Sequence, residues 1–302
     1  MARCNFADVV LEGGGYLAEF SSARGGTCYR LYHKETRREI LRTPESEEAL
    51  RDNAFLYGNP VLFPPNRIRG GSFTFGVREY RFLVNEPDTG CHLHGELYQK
   101  RFNVLQRTDT CTTFRFQARA GEYLGFPHAF LVTRQYTLDG SGLTELFTMK
   151  NCSKEDMPFM LAFHTTFLAR GCLLQQAVGR EQLRDGHFLS TGEYAQGRPR
   201  DREIGAGTFA VGSEHLSALY EARDDTAVLS DPERRERVCY RASAEYGYRM
   251  LFSPANSDYI CIEPQTCAID CFHLPTPPEQ NGLIVLHPEK QKTLRTKIWL
   301  ER

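Results

Sequence analysis

Apolar and polar positions alternate with a period of two along most of this chain. The segments SFTFGVREYRFLVNE (72–86), CTTFRFQARA (111–120), HAFLVTRQYTL (128–138), LTELFTMKN (143–151) and YRMLFS (248–253) all follow it. This period puts successive side chains on opposite faces of an extended strand. The first segment is broken at Gly76, which predicts a hairpin. Turn formers separate the others: Gly13-Gly14-Gly15, Gly25-Gly26, Gly70-Gly71 and Asp139-Gly140-Ser141-Gly142. Many short strands with regular turn signals predict an all-β sandwich or barrel. One segment departs from the pattern. Thr43 stands as a cap, Pro44 at a first helical position and Glu45, Glu47 and Glu48 in a first turn, which predicts a short helix from about 44 to 56. The stretch 182–212 is rich in Gly, Pro and charge and predicts a long loop region over the sheet. No repeat or low-complexity linker divides the chain, so a single domain over residues 1–302 is expected.

Composition narrows the function classes. The 302 residues are 41% hydrophobic and 25% charged, which is ordinary for a globular protein. Lys plus Arg is 37 and Asp plus Glu is 38, so no global field is built for nucleic acid or an anionic membrane. The longest apolar stretches, such as 159–163 and 283–286, are far too short to span a bilayer. The start, MARCNFADVVLEGGG, lacks the apolar core and cleavage site of an export signal. A cytoplasmic location is therefore expected, with the ten scattered cysteines as free thiols. They form no CxxC, and a structural zinc site is not expected. Gly13-Gly14-Gly15 lacks the GK[ST] of a phosphate loop, and no GxSxG occurs.

Three segments hold candidate chemistry. In Tyr259-Ile260-Cys261-Ile262-Glu263-Pro264, strand geometry puts Tyr259, Cys261 and Glu263 on one face. Pro264 cannot donate to a ladder, so the strand ends or meets a rim there. Glu263 is then either a positioned base or an exposed rim acid. In 157–167, both faces are apolar and His164 is the single ionisable side chain. It is either a catalytic imidazole or a satisfied core histidine. In Cys91-His92-Leu93-His94-Gly95-Glu96, extended geometry puts His92, His94 and Glu96 on one face, which invites a divalent-metal reading. Gly95 interrupts that strand and can turn Glu96 away.

Taken together, these segments resemble the aldose 1-epimerase (galactose mutarotase) family. The resemblance runs from Gly58-Asn59-Pro60-Val61-Leu62-Phe63-Pro64-Pro65-Asn66-Arg67-Ile68, similar to "fPxxNRI", through Leu93-His94-Gly95, similar to "LHG". It continues through Asn151-Cys152-Ser153, Met157-Pro158-Phe159 and His164-Thr165-Thr166-Phe167, similar to "N.S…MP…HPYF". It ends with Ile262-Glu263-Pro264-Gln265-Thr266, Asp270 and Gly282-Leu283-Ile284-Val285-Leu286-His287-Pro288. The resemblance implies a large all-β supersandwich of mostly antiparallel strands and cofactor-free interconversion of the anomers of a hexose. It implies Glu263 as base and His164 as the acid at the ring oxygen, facing each other across a hexose-sized hollow, with His94 assisting at the ring oxygen and Asn66 and Arg67 as ligands of sugar hydroxyls. No metal, cofactor, nucleic acid or membrane partner is implied, and a monomer or homodimer is expected. The chain departs from the pattern where "HPYF" becomes His164-Thr165-Thr166-Phe167. The family's sugar-contacting Asp has no clear counterpart, and Glu214 is the nearest candidate. Alternatives within and beyond the fold are a hexose-6-phosphate 1-epimerase, a non-catalytic sugar-binding protein, and a cupin-like metal enzyme using His92, His94 and Glu96.

Overall fold

The structure is a computed structural model and describes residues 6–302; Cys4 and the rest of the extreme N-terminus lie outside them. The alternation seen in the sequence becomes alternation of burial. Phe130–Asp139 and Gly142–Asn151 bury every second side chain for most of their length and pair antiparallel around Ser141. They lie within a nine-stranded sheet that also takes in Asn103–Arg107, Cys111–Ala118, Gln291–Glu301, Glu236–Ala242 and Thr226–Asp231. A second sheet of eight strands runs Ser190–Ala195, Val178–Arg184, Leu216–Ala222, Tyr248–Ser253, Tyr259–Gln265, Ala162–Phe163 and Val61–Leu62, with Thr165–Leu168 also paired to Tyr259–Gln265. Every ladder in both sheets is antiparallel.

The inner faces of the two sheets share one core. Phe147 of the first meets Phe163 of the second at 5.8 Å between ring centroids, and Tyr240 meets Phe167 at 5.3 Å. Burying such rings is the main favourable contribution to the fold, at roughly 25 cal/mol per Å² of apolar surface. A smaller four-stranded sheet opens the chain: Val9–Gly13, Tyr16–Ser21, Thr27–His33 and Arg38–Glu39. The all-β supersandwich expected from the sequence is the observed fold. The hairpin at Gly76 is also present, as Ser72–Phe75 against Arg78–Arg81.

Four local expectations need correction. The first helix is shorter than 44–56; it spans Glu47–Asp52, and its cap is Ser46, whose Oγ accepts the Ala49 N–H at 3.0 Å. Pro44 lies ahead of it. The region 182–212 is not a long loop. It carries strand residues to Arg184, the strand Ser190–Ala195 and a second helix, Pro199–Ala206. That helix starts where Asp201 accepts the Arg198 N–H at 2.9 Å and ends at left-handed Gly207. The strand containing Glu263 does not stop at Pro264; it continues to Gln265, with Pro264 opposite Arg249. The stretch 157–167 is not one strand but three pieces, Met157–Phe159, Ala162–Phe163 and Thr165–Leu168. It is buried throughout, as expected, and His164 stands at the second break.

A buried polar network holds the loop before Val61–Leu62 and, through it, the strand break at His164. Arg134 is fully buried and its Nε donates to Glu145 at 2.7 Å. Its other nitrogens donate to the carbonyls of Gly25 at 2.7 Å and Asn59 at 3.1 Å. Asn59 in turn donates to Glu145 at 3.1 Å and accepts the Cys28 N–H at 2.8 Å. The next carbonyl, Pro60, accepts the His164 backbone N–H at 3.0 Å. A buried charge pair is tolerated when its remaining donors are satisfied, and here they are.

Candidate active site

Alternation along Tyr259–Gln265 sends Glu263 to the same face as Cys261. The neighbouring chain brings His164 beside it, because Ala162 registers with Gln265 and Thr165 with Ile262. The His164 Nε2 lies 3.3 Å from the Glu263 Oε1. Both side chains are buried, with Glu263 at 2% and His164 at 7% exposure. Glu263 is therefore no rim acid. Burial pushes its carboxyl well above the usual carboxylate range, with the Arg184 guanidinium pulling the other way. Burial holds the His164 imidazole down to about 4. The contact is thus favoured as a neutral carboxylic acid beside a neutral imidazole rather than as an ion pair. The Nδ1 of His164 is buried with no hydrogen-bond partner among the described residues.

His94 reaches the same place by leaving its strand. Cys91–Leu93 pairs with Arg67–Arg69, and then His94 and Gly95 both take left-handed backbone angles, φ 64° and 62°. A Cβ on Gly95 would stand 1.9 Å from the Phe63 carbonyl oxygen, so only glycine permits this close approach. The His94 ring lies 5.6 Å from the His164 ring, edge to face, and 4.5 Å from Phe55. The Asn66 backbone N–H donates to the His94 Nδ1 at 3.2 Å, and the His94 N–H donates to the Asn66 carbonyl at 2.9 Å. Burial holds the His94 imidazole well below its ordinary range, so the ring is neutral. With Nδ1 accepting, the proton sits on Nε2.

The turn of the backbone at His94 also dissolves the metal reading of the segment. His92 packs on Phe82 at 5.0 Å, and its Nδ1 is 2.7 Å from the Leu83 carbonyl. Glu96 points elsewhere and pairs with Lys100 at 2.8 Å. His92, His94 and Glu96 do not share a face.

His164, Glu263, His94, Asn66 and Arg67 all line one cavity of about 560 Å³. Arg67 is held by a two-pronged contact with Glu86, at 2.6 and 2.7 Å, and its guanidinium lies over the Phe188 ring at 4.7 Å. Every residue that the family resemblance singled out for the site therefore reaches this cavity, with Glu214 excepted; His92 and Glu96 of the metal reading do not. Glu214 is exposed and off the wall; His215 and Ser217 of the same segment line it instead. Sequence reasoning also missed Phe55, Phe188 and Arg184. Arg184 ends the strand Val178–Arg184, inside the region read as loop, so no pattern marked it. It donates through Nη2 to the Ser217 carbonyl and hydroxyl, and among the described residues it forms no ion pair. Burial lowers its affinity for its proton, and Glu181 and Glu263 oppose that effect.

The profile of the family described as Aldose 1-epimerase matches residues 8–299. The chain belongs to the aldose 1-epimerase family. A galactose mutarotase-like protein from Clostridium acetobutylicum superposes with a TM-score of 0.91 at 27% identity, covering 97% of this chain and 94% of that one. A GalM/aldose epimerase homologue from C. elegans superposes with a TM-score of 0.78 at 14% identity, covering 97% and 98%, which speaks to the fold alone. The uncharacterized protein YphB of Escherichia coli K12 is 24% identical over 250 residues, which is 80% of this chain and 83% of that protein. The cavity mixes aromatic rings with a few polar groups, as small-molecule sites do. No described helix is long and apolar enough to cross a membrane, and the nine described cysteines are free thiols.

Proposed function

We propose that the protein is an aldose 1-epimerase that interconverts the α and β anomers of a hexose by general acid–base catalysis. The observation that carries this reading is the contact between His164 and Glu263 on the wall of a cavity that His94, Asn66 and Arg67 also line.

The reaction opens a hemiacetal. A base takes the proton of the anomeric hydroxyl while an acid gives one to the ring oxygen. The C1–C2 bond of the free aldehyde turns, and both transfers run backwards onto the other carbonyl face. The two oxygens that exchange protons are bonded to the same carbon. The acid and base therefore need to stand side by side, as Glu263 and His164 do, and not across the ring from one another. In this scheme Glu263 takes the anomeric proton and His164 protonates the ring oxygen. Their contact carries one proton, and the reactive form is the one with that proton on the imidazole. Closure returns it, so no covalent intermediate is needed. Help of this kind is worth on the order of 10²–10⁴ per proton transfer. His94, with its proton on Nε2, donates a hydrogen bond to the ring oxygen. Arg67, steadied by Glu86, and Asn66 hold hydroxyls, and Phe55 covers an apolar face of the sugar.

A second reading keeps the chemistry and changes the substrate. Arg184 is a largely buried guanidinium without a carboxylate partner, and its remaining donors have no protein acceptor among the described residues. A hexose 6-phosphate would supply the missing anion. Polarimetry on freshly dissolved glucose and glucose 6-phosphate tests both readings. Acceleration of the neutral sugar supports the first, and acceleration of the phosphate ester alone supports the second. Saturable sugar binding with unchanged mutarotation would make the protein a carbohydrate-binding relative of the enzymes.

A further inference from the structure

We propose that His164, Cys261 and Glu263 form a three-ligand site for a borderline divalent cation, best matched by Zn²⁺, whose occupancy blocks proton transfer in the cavity. An imidazole nitrogen, a thiol sulfur and a carboxylate oxygen from these residues all lie within 4.8 Å of one another. Ligands held tetrahedrally at the ordinary zinc distances of about 2.0–2.3 Å stand about 3.3–3.8 Å apart, so the cluster closes on one ion when its side chains draw in by about an ångström.

The strand geometry explains the cluster. Cys261 and Glu263 point the same way two residues apart, and His164 is delivered from the adjoining strand break. All three are buried. Among the described residues the Cys261 sulfur has one hydrogen-bond partner, the Thr166 hydroxyl at 3.3 Å, and the His164 Nδ1 has none, so the bond an ion chiefly replaces is the His164–Glu263 contact. One thiolate and one carboxylate balance the double charge of the ion, leaving the buried cluster neutral. The thiol proton and the one proton held by the His164–Glu263 contact both leave to solvent as the three metal–ligand bonds form. Nitrogen, sulfur and oxygen together select zinc-like ions over Mg²⁺ and Ca²⁺, which take oxygen. The fourth position faces the cavity, because His164 and Glu263 line it. A ligated imidazole and a ligated carboxylate can no longer exchange a proton with a sugar. That inhibitory consequence rests on the proposed anomerase reading; the metal site itself does not.

The test uses the metal-free full-length chain. Co²⁺ is titrated as a spectroscopic probe, Zn²⁺ as its competitor and Mg²⁺ as a control. One Co²⁺ per chain is expected, with a thiolate-to-metal charge-transfer band that Zn²⁺ abolishes and Mg²⁺ leaves alone. The band is expected to be absent in both Cys261→Ser and Cys261→Ala, with folding of each checked by circular dichroism. In mutarotation, one equivalent of Zn²⁺ should slow the wild type at least about tenfold and Cys261→Ser less than about twofold. The absence of a thiolate band in the wild type, or its persistence in both variants, overturns the site. A Cys261-dependent band in a protein that never accelerates mutarotation confirms the metal site and sinks its inhibitory role together with the anomerase reading.

Discussion

The Nε2 of His164 and the Oε1 of Glu263 stand 3.3 Å apart on one wall of the cavity, Glu263 from the strand Tyr259–Gln265 and His164 from the break between that strand's neighbours Ala162–Phe163 and Thr165–Leu168. The sequence led us to expect the two groups to face each other across a sugar-sized hollow. They adjoin instead, and adjacency suits a reaction whose two proton-exchanging oxygens share a carbon. The first prediction follows from this contact. Glu263→Gln and His164→Asn should each cut the mutarotation rate at least about a hundredfold, in line with the usual worth of a positioned acid or base. Thermal melting within a few degrees of the wild type will show that the fold survives. Near-native turnover in either variant would remove the pair from the mechanism.

The pH profile follows from the single proton the pair carries. Activity should fall on the acid side when a second proton binds, and on the alkaline side when the last one leaves. Burial places the imidazole at about 4, so the acid limb of kcat/KM should lie near pH 4 and not near the ordinary histidine value of 6.5. The alkaline limb should lie well above the carboxylate range, as the buried Glu263 requires. An acid limb between pH 6 and 7, in rates measured by polarimetry, would mean that a solvent-exposed histidine controls the reaction.

The tautomer of His94 is a prediction in its own right. The Asn66 N–H donates to Nδ1, so the neutral ring carries its proton on Nε2. Nitrogen-15 NMR of the imidazoles should show this form across neutral pH. A protonated Nδ1 would contradict the proposed donation to the ring oxygen.

Much of this was legible in the chain. The period-two pattern marked half-buried strands of the nine-stranded sheet, such as Phe130–Asp139 and Gly142–Asn151, because such strands must alternate. The family resemblance drew Asn66, Arg67, His94, His164 and Glu263 together, and all five meet at one cavity. What the pattern could not carry was long-range. The strand containing Arg184 pairs irregularly, with register shifts against both neighbours, so its alternation is blurred. Thr43 reads as the cap in the sequence, but the side chain that reaches an orphan N–H is that of Ser46. The metal-like face of His92, His94 and Glu96 vanished because Gly95 approaches the Phe63 carbonyl, a contact no local rule contains.

Arg184 separates the two substrate readings. Arg184→Met should raise KM for a hexose 6-phosphate by about tenfold or more and change the neutral hexose by less than about threefold, if the phosphate is the intended anion. Equal losses with both sugars would make Arg184 a hydroxyl ligand.

Acid stability offers a test of the fold away from the cavity. His128 is buried between the Tyr80 hydroxyl, 2.7 Å from its Nε2, and the Ser153 hydroxyl, 2.8 Å from its Nδ1. Burial, with Arg78 nearby, lowers its imidazole to about 4. Its contribution to stability is complete above pH 6.5 and is lost as pH falls toward 4, because the unfolded chain then binds a proton that the folded chain does not. By pH 5 the loss amounts to about 2 kcal/mol. His128→Gln, measured by urea unfolding at pH 7 and pH 5, should lose correspondingly less between the two pH values than the wild type. Identical losses would place His128 outside this linkage.

The most direct test of the central claim is optical rotation after dissolving pure α-D-glucose and α-D-galactose, with and without the protein. The account predicts a rate that rises in proportion to wild-type protein for at least one sugar and returns to the buffer rate with Glu263→Gln. Rates equal to buffer for these sugars and their 6-phosphates, or equal acceleration by wild type and Glu263→Gln, would contradict it.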